Sequence, residues 1–218
     1  GATDTTFGFD TAVNIVTENL GRLHTTAESH HRVMVVEVMG RSAGWIALNA
    51  GIAGSADIIL LPEMPYNLES IVNKIRERDA NGKPFSIVVV GEGAKELGGQ
   101  EVIGKVVEDS PDPIRFGGIA AKLAHDLETH INHEVRSVQL GHIQRGGETS
   151  PADRILSARY GVAAVQMIKN GNFGKMVCLR NGQMDAEDLN NVINNNKYVK
   201  PTDELVTVAR ELGISLGQ

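Results

Sequence analysis

The chain has 218 residues, long enough for one large domain or two small ones that each bury a core. Its formal net charge of −6 argues against a general nucleic-acid-binding protein, so arginines beside glycines are interpreted as local features. A single cysteine, Cys178, rules out an intrachain disulfide and suits a reducing compartment, and no apolar run is long enough to span a bilayer. These features predict a cytoplasmic protein without a membrane partner.

Helical and strand patterns alternate along the whole chain. Apolar periodicity predicts helices over 10–27, 43–53, 68–80, 119–131, 151–167, 186–193 and 202–212, and strands over 32–38, 58–61, 85–90, 134–140 and 176–179. The segment 93–116 is long and mixed, and no element is predicted within it before residue 119. The alternation predicts an α/β fold of three layers, a mostly parallel sheet with helices on both faces and right-handed crossovers.

Two glycine-flanked turns follow predicted strands. One is Met39-Gly40-Arg41, and the other is Leu140-Gly141-His142-Ile143-Gln144-Arg145-Gly146-Gly147. Glycine lets a backbone approach a ligand closely, and arginine can meet a phosphate with a two-pronged fork of donors. Because the carboxyl ends of parallel strands meet at one edge of a sheet, the two turns predict a site for a phosphorylated small molecule.

Each of these residues also has a plainer interpretation. Arg41 fits a solvated loop arginine, and Arg145 fits an ordinary turn in which it pairs with Asp153. Glu92, at the end of a buried strand, can accept hydrogen bonds from sugar hydroxyls or serve as a helix-capping or salt-bridging residue. Arg32 and Arg136 open the strands that lead into the two turns, a position where cations are often only solvated.

No metal site is predicted within the chain. His30 and His31 are adjacent, and neighbouring residues of a strand point to opposite faces, so the pair does not converge on one ion. Asp4 and Asp10 are interpreted as stabilising the amino end of the first helix.

Several stretches together resemble the bacterial-type 6-phosphofructokinases over nearly the whole chain. They are Phe7-Gly8-Phe9-Asp10-Thr11-Ala12, His31-Arg32, Met39-Gly40-Arg41, Glu92 and the run from Arg136 through Asp153-Arg154. The resemblance implies a transferase of glycolysis. Such a kinase moves a phosphoryl group from ATP or pyrophosphate, with Mg²⁺, to the 1-hydroxyl of fructose 6-phosphate.

The resemblance also implies roles for individual residues. Arg41 would be catalytic, countering charge on the transferring group while also lying against the substrate. In a homodimer or homotetramer, Arg32 and Arg136 would reach across the subunit boundary to the neighbour's 6-phosphate. The remaining contacts with the sugar phosphate would come from Met39, Gly40, Glu92, His142 and Arg145.

In the family, the donor-binding loops, the general base and the Mg²⁺ carboxylate lie upstream of the matched region. The chain is therefore expected to be a fragment that binds the sugar phosphate weakly and is inactive alone. Residues 1–143 would form the fructose 6-phosphate-binding domain and residues 144–218 the C-terminal part of the phosphoryl-donor domain. The alternative is a non-catalytic sugar-phosphate-binding or regulatory subunit.

Overall fold

The computed structural model describes residues 1–106, 108, 113–193 and 195–218. Helices and strands alternate through the first 91 residues in the predicted order. The helices are α1 (Phe9–His30), α2 (Trp45–Ala53), α3 (Leu68–Ala80), α4 (Ile119–Glu128), α5 (Pro151–Lys169), α6 (Leu189–Val192) and α7 (Glu204–Glu211). The strands are β1 (Val33–Val38), β2 (Ile58–Leu60), β3 (Ser86–Gly91), β4 (Ile103–Val106), β5 (Ile114–Phe116), β6 (Val135–Gln139), β7 (Lys175–Arg180) and β8 (Gln183–Asp188).

The main sheet is parallel, with strand order β2-β3-β1-β6. Val33 at the start of β1 lies opposite Ser86 of β3 and Val135 of β6. Helices α1, α2 and α7 contribute buried residues to the hydrophobic cluster on one face, and α3 and α4 contribute to the cluster on the other. The predicted three-layer α/β fold is therefore confirmed.

The position of β1 in the sheet determines where the site can form. All six residues of β1 and all six of β3 are buried, as expected for valine-rich parallel strands covered on both faces. Pairing continues one step past each strand, since Glu92 N donates to Val38 O at 2.9 Å and Leu140 N donates to Glu37 O at 3.1 Å. The chain segments that leave β3 and β6 therefore emerge on either side of the end of β1.

Two antiparallel hairpins were not predicted. The first pairs β4 with β5 inside the mixed segment, of which residues 107 and 109–112 lie outside the described residues. The second pairs β7 with β8. The helix predicted over 186–193 is therefore wrong for residues 186–188, which belong to β8, and α6 begins only at Leu189. Asn181 and Gly182 join β7 to β8 with φ values of 49° and 74°, which is the left-handed pair that a tight hairpin turn requires.

The C-terminal third packs unevenly against the rest. Four apolar residues on α5 are between 51% and 65% exposed, namely Ile155, Val162, Val165 and Ile168. By contrast, Val206 on α7 and Leu216 beyond it are buried in the same cluster as α1 and α2. The end of the chain therefore completes the core of the main sheet, while α5 lies largely outside it.

Asp153 fastens the start of α5 to the start of α1. Its buried Oδ2 accepts hydrogen bonds from the amide and the hydroxyl of Thr11, at 2.7 and 2.6 Å, and the Thr11 hydroxyl accepts one from Ser150 N at 3.0 Å. Burial raises the pKa of Asp153, but the bonds from Thr11 and from the Gly8 amide outweigh burial and leave the pKa below its ordinary value. Asp153 is thus an ionised anchor between two helices.

Candidate functional site

The turn after β1 has a conformation that few residues adopt. Gly40 has a φ of 145°, and a Cβ built there would lie 2.4 Å from the Ala43 carbonyl oxygen, so only glycine fits. Arg41 follows in the left-handed region with a φ of 54°, a strained conformation for a residue with a side chain. Such strain, which costs about 1–3 kcal/mol, is found mainly where structure serves function.

Glu92 holds this turn in place from the neighbouring strand β3. Its Oε1 accepts hydrogen bonds from Gly40 N at 3.2 Å and Arg41 N at 2.8 Å. Gly93 lies directly beneath the turn, because a Cβ there would lie 2.3 Å from the Arg41 carbonyl oxygen. Glu92 therefore orders the first turn rather than capping a helix, and its half-buried carboxylate lies beside the glycine turn.

The second turn is a short 3-10 helix, Gly141–Arg145, which the sequence did not predict. Gln144, its fourth residue, is buried, with Oε1 accepting from Met39 N at 3.2 Å and Nε2 donating to Gly141 O at 3.0 Å. This side chain fastens the second turn to the first. His142 and Arg145 lie exposed on the 3-10 helix.

The two turns and Glu92 therefore lie side by side at the carboxyl ends of β1, β3 and β6. We refer to residues 39–41, 92 and 141–145 as the strand-end site. Neighbouring parallel strands are about 4.8 Å apart, so side chains from these segments are within reach of one small ligand. Asp153 is buried with its Oδ2 bonded to Thr11, Arg145 is exposed, and no ion pair between the two is found among the described residues, so the alternative in which they pair is wrong.

Glu37, near the end of β1, fixes the elements around the strand-end site, and the sequence analysis did not identify it. Its buried carboxylate accepts hydrogen bonds from Gly118 N and Ala120 N, each at 3.0 Å, and from Gln139 Nε2 at 2.7 Å. It thereby caps the amino end of α4 and fixes the end of β6 relative to β1. The available signal was a single acidic residue inside the apolar strand Val-Met-Val-Val-Glu-Val.

The C-terminal segment is attached next to the first turn. Glu63 Oε1 accepts hydrogen bonds from Gly44 N at 3.0 Å and from Val199 N at 2.8 Å. Trp45 Nε1 donates to the Lys197 carbonyl oxygen at 2.7 Å. Because Gly44 and Trp45 begin α2 directly after the turn, these bonds restrain the far side of the strand-end site.

Arg32 and Arg136 lie at the opposite edge of the sheet. Arg32 directly precedes β1, and a six-residue strand is about 20 Å long, so Arg32 is that far from Met39. Arg136 is the second residue of β6, beside the start of β1. Both arginines pair with Glu134, and the structure does not bring them together with the strand-end site.

Neither a metal cluster nor a membrane-spanning helix is found in the described part of the chain. Over residues 1–106, 108, 113–193 and 195–218, no group of three or more histidine, cysteine or acidic side chains is arranged to hold a metal ion. Over the same residues, every helix is too short or too polar to cross a bilayer. His30 ends α1 and His31 caps it with a φ of 51°.

The fold and the strand-end site define a three-layer α/β protein with glycine-flanked cationic turns where its parallel strands end. A family model described as phosphofructokinase matches residues 1–168. The chain belongs to the phosphofructokinase family.

Individual relatives cover nearly the whole chain. It is 62% identical over 215 residues to ATP-dependent 6-phosphofructokinase 2 of Clostridium perfringens. That match covers 98% of this chain and 59% of that protein. It is 50% identical over 181 residues to a pyrophosphate–fructose 6-phosphate 1-phosphotransferase of Amycolatopsis mediterranei, covering 83% of this chain and 52% of that protein. The chain thus spans between half and three-fifths of the length of these relatives.

A solved structure shares the fold. The pyrophosphate-dependent phosphofructokinase of Marinobacter aquaeolei matches with a TM-score of 0.76 over 98% of this chain and 56% of that chain. At 22% sequence identity, this match is a likeness of fold.

Proposed function

We propose that the chain forms the fructose 6-phosphate-binding part of a 6-phosphofructokinase. The full enzyme would transfer a phosphoryl group from ATP or pyrophosphate to the 1-hydroxyl of the sugar phosphate. The observation that carries the proposal is that Gln144 fastens the second cationic turn to the first, which Glu92 orders, at one sheet edge. The names of the relatives, one ATP-dependent and one pyrophosphate-dependent, support both donors.

Each part of the strand-end site has a separate task in this proposal. His142 and Arg145 donate charge-assisted hydrogen bonds to the substrate, and Met39 and Gly40 bring the backbone against it. Glu92 accepts a hydrogen bond from a sugar hydroxyl through its carboxylate while it orders the turn. Arg41 lies between substrate and donor and stabilises the negative charge of the transferring phosphoryl group, as positioned cations do in phosphoryl transfer.

The proposal assigns donor chemistry to other parts of the enzyme. Residues 1–143 would form the sugar-phosphate domain and residues 144–218 a returning part of the donor domain, although α7 packs into the core of the main sheet. Mg²⁺ and the general base would be held by residues of the enzyme outside this chain, as the resemblance to the family implies. The greater length of the relatives supports this division.

Arg32 and Arg136 have a different task, because they lie about 15–20 Å from the strand-end site of their own chain. We propose that they bind the 6-phosphate held by a second copy in a homodimer or homotetramer. Substrate binding would then depend on assembly, which provides a route to cooperativity. We also propose a cytoplasmic location, with which the buried free thiol of Cys178 is compatible.

Calorimetric titration with fructose 6-phosphate and with fructose tests the proposal. We expect the phosphorylated sugar to bind at least about ten-fold more tightly, because each charge-assisted hydrogen bond to phosphate contributes about 1.5–3 kcal/mol. Equal affinities for the two sugars would contradict it. With Mg²⁺ and either donor added, the 218-residue chain is expected to bind without turnover, and measurable turnover would overturn the assignment of the base to other parts of the enzyme.

A further inference from the structure

The carboxylate of Glu134 accepts hydrogen bonds from both Arg32 and Arg136, at the edge of the sheet where the parallel strands begin. Arg32 donates through Nε to Glu134 Oε2, and Arg136 donates through Nη2 to Glu134 Oε1. The two oxygens of a single side chain therefore lie between two guanidinium groups. All three side chains are partly exposed, so the cluster is accessible to a dissolved anion.

The sheet itself assembles this cluster. Val33 N donates to the Glu134 carbonyl oxygen at 3.0 Å, which fixes the start of β6 beside the start of β1. Glu134 and Arg136 are two residues apart in an extended segment, so their side chains point to the same face. Arg32 approaches from the neighbouring strand, and the carboxylate takes the position that two oxygens of a phosphoryl group would take.

We propose that Glu134 is an internal competitor that a phosphoryl group must displace from Arg32 and Arg136. The inference rests on the proposed role of these arginines as an anion site. Ion pairs between exposed side chains are weak, so the carboxylate is displaceable. Because it is attached to the chain, however, it is always present at high effective concentration.

The competition sets a threshold for binding. A competitor lowers the apparent affinity of every anion by the same factor, because each must displace the same carboxylate. Anions that bind weakly, such as chloride, then fail to occupy the arginines. A phosphate ester held by two guanidinium forks still binds. Glu134 would thus determine how much phosphorylated ligand is needed to fill the site.

Titration of the isotope-labelled chain with inorganic phosphate, followed by NMR, tests this inference. The readouts are the Arg32 Nε–H resonance and the backbone amides of residues 134–136, which report on this edge and not on the strand-end site. We expect Glu134→Gln to tighten phosphate binding about four- to twenty-five-fold, because two exposed ion pairs each contribute roughly two- to five-fold. Addition of Arg136→Gln to the same variant should remove the gain.

Glu128→Gln is the matched control. It removes the same charge from the exposed end of α4, and among the described residues no hydrogen bond or ion pair is found between Glu128 and either arginine. An equal gain in both variants would show that overall charge, not displacement, determines the affinity, and would overturn the inference.

The arginine variants separate this inference from the proposed function. If Arg32→Gln and Arg136→Gln weaken phosphate binding at this edge but Glu134→Gln does not tighten it, the inference is wrong and the arginine site stands. If neither arginine variant changes the titration, the proposed role of Arg32 and Arg136 is itself wrong.

Discussion

Replacement of Arg145 by alanine is expected to weaken binding of fructose 6-phosphate by about ten- to a hundred-fold and to leave binding of fructose unchanged. Arg145 lies exposed on the 3-10 turn that Gln144 fastens to Met39. Its guanidinium would donate charge-assisted bonds to the phosphate, and fructose has no group to receive them. Calorimetric titration with the two sugars measures both affinities.

The control for this variant is Arg22→Ala. Arg22 is exposed on α1 and pairs with Glu18, so its loss changes the net charge equally without touching the strand-end site. Similar losses in both variants would mean that affinity follows overall charge. An unchanged affinity for fructose 6-phosphate in Arg145→Ala would exclude Arg145 from the site.

Replacement of Gly93 by alanine is expected to lower both stability and binding. The added Cβ would lie 2.3 Å from the Arg41 carbonyl oxygen and 3.1 Å from its carbonyl carbon. Both atoms belong to the backbone, so the first turn must move, at a cost of about 1–3 kcal/mol in the free energy of unfolding. Displacement of Arg41 should weaken binding of fructose 6-phosphate by about ten-fold, since site geometry is sensitive to shifts of an ångström.

Gly21→Ala provides the comparison for Gly93→Ala. A Cβ at Gly21, within α1, meets open space, and alanine favours a helix over glycine by about 1 kcal/mol. This variant is expected to gain stability in urea unfolding and to bind normally. Normal stability and affinity in Gly93→Ala would contradict the close packing of the turn on residue 93.

The sequence predicted the main sheet well because its strands are buried on both faces. Apolar runs such as those of β1 and β3 have few alternatives in a chain where strands and helices alternate. The hairpin of β4 and β5 was missed because those of its side chains that the structure describes are exposed or half-buried, which leaves no periodic apolar signal. The hairpin of β7 and β8 could have been predicted, since the Asn181-Gly182 pair is a strong hairpin signal.

The candidate site could be predicted in its residue types but not in its supports. Glycines and cations just past apolar strands identified both turns. Gln144 looked like one more polar turn residue, because its burial depends on a contact with Met39, 105 residues away in sequence. Glu92 was named as a ligand contact, yet its hydrogen bonds to the first turn required knowledge that β3 lies beside β1.

The most direct test of the account is a residue-resolved NMR titration of the chain with fructose 6-phosphate. We expect the backbone amides of residues 39–41 and 141–145 to shift along one common saturation curve, because both turns would contact the same molecule. A response confined to one turn, or two curves with different midpoints, would contradict a shared strand-end site.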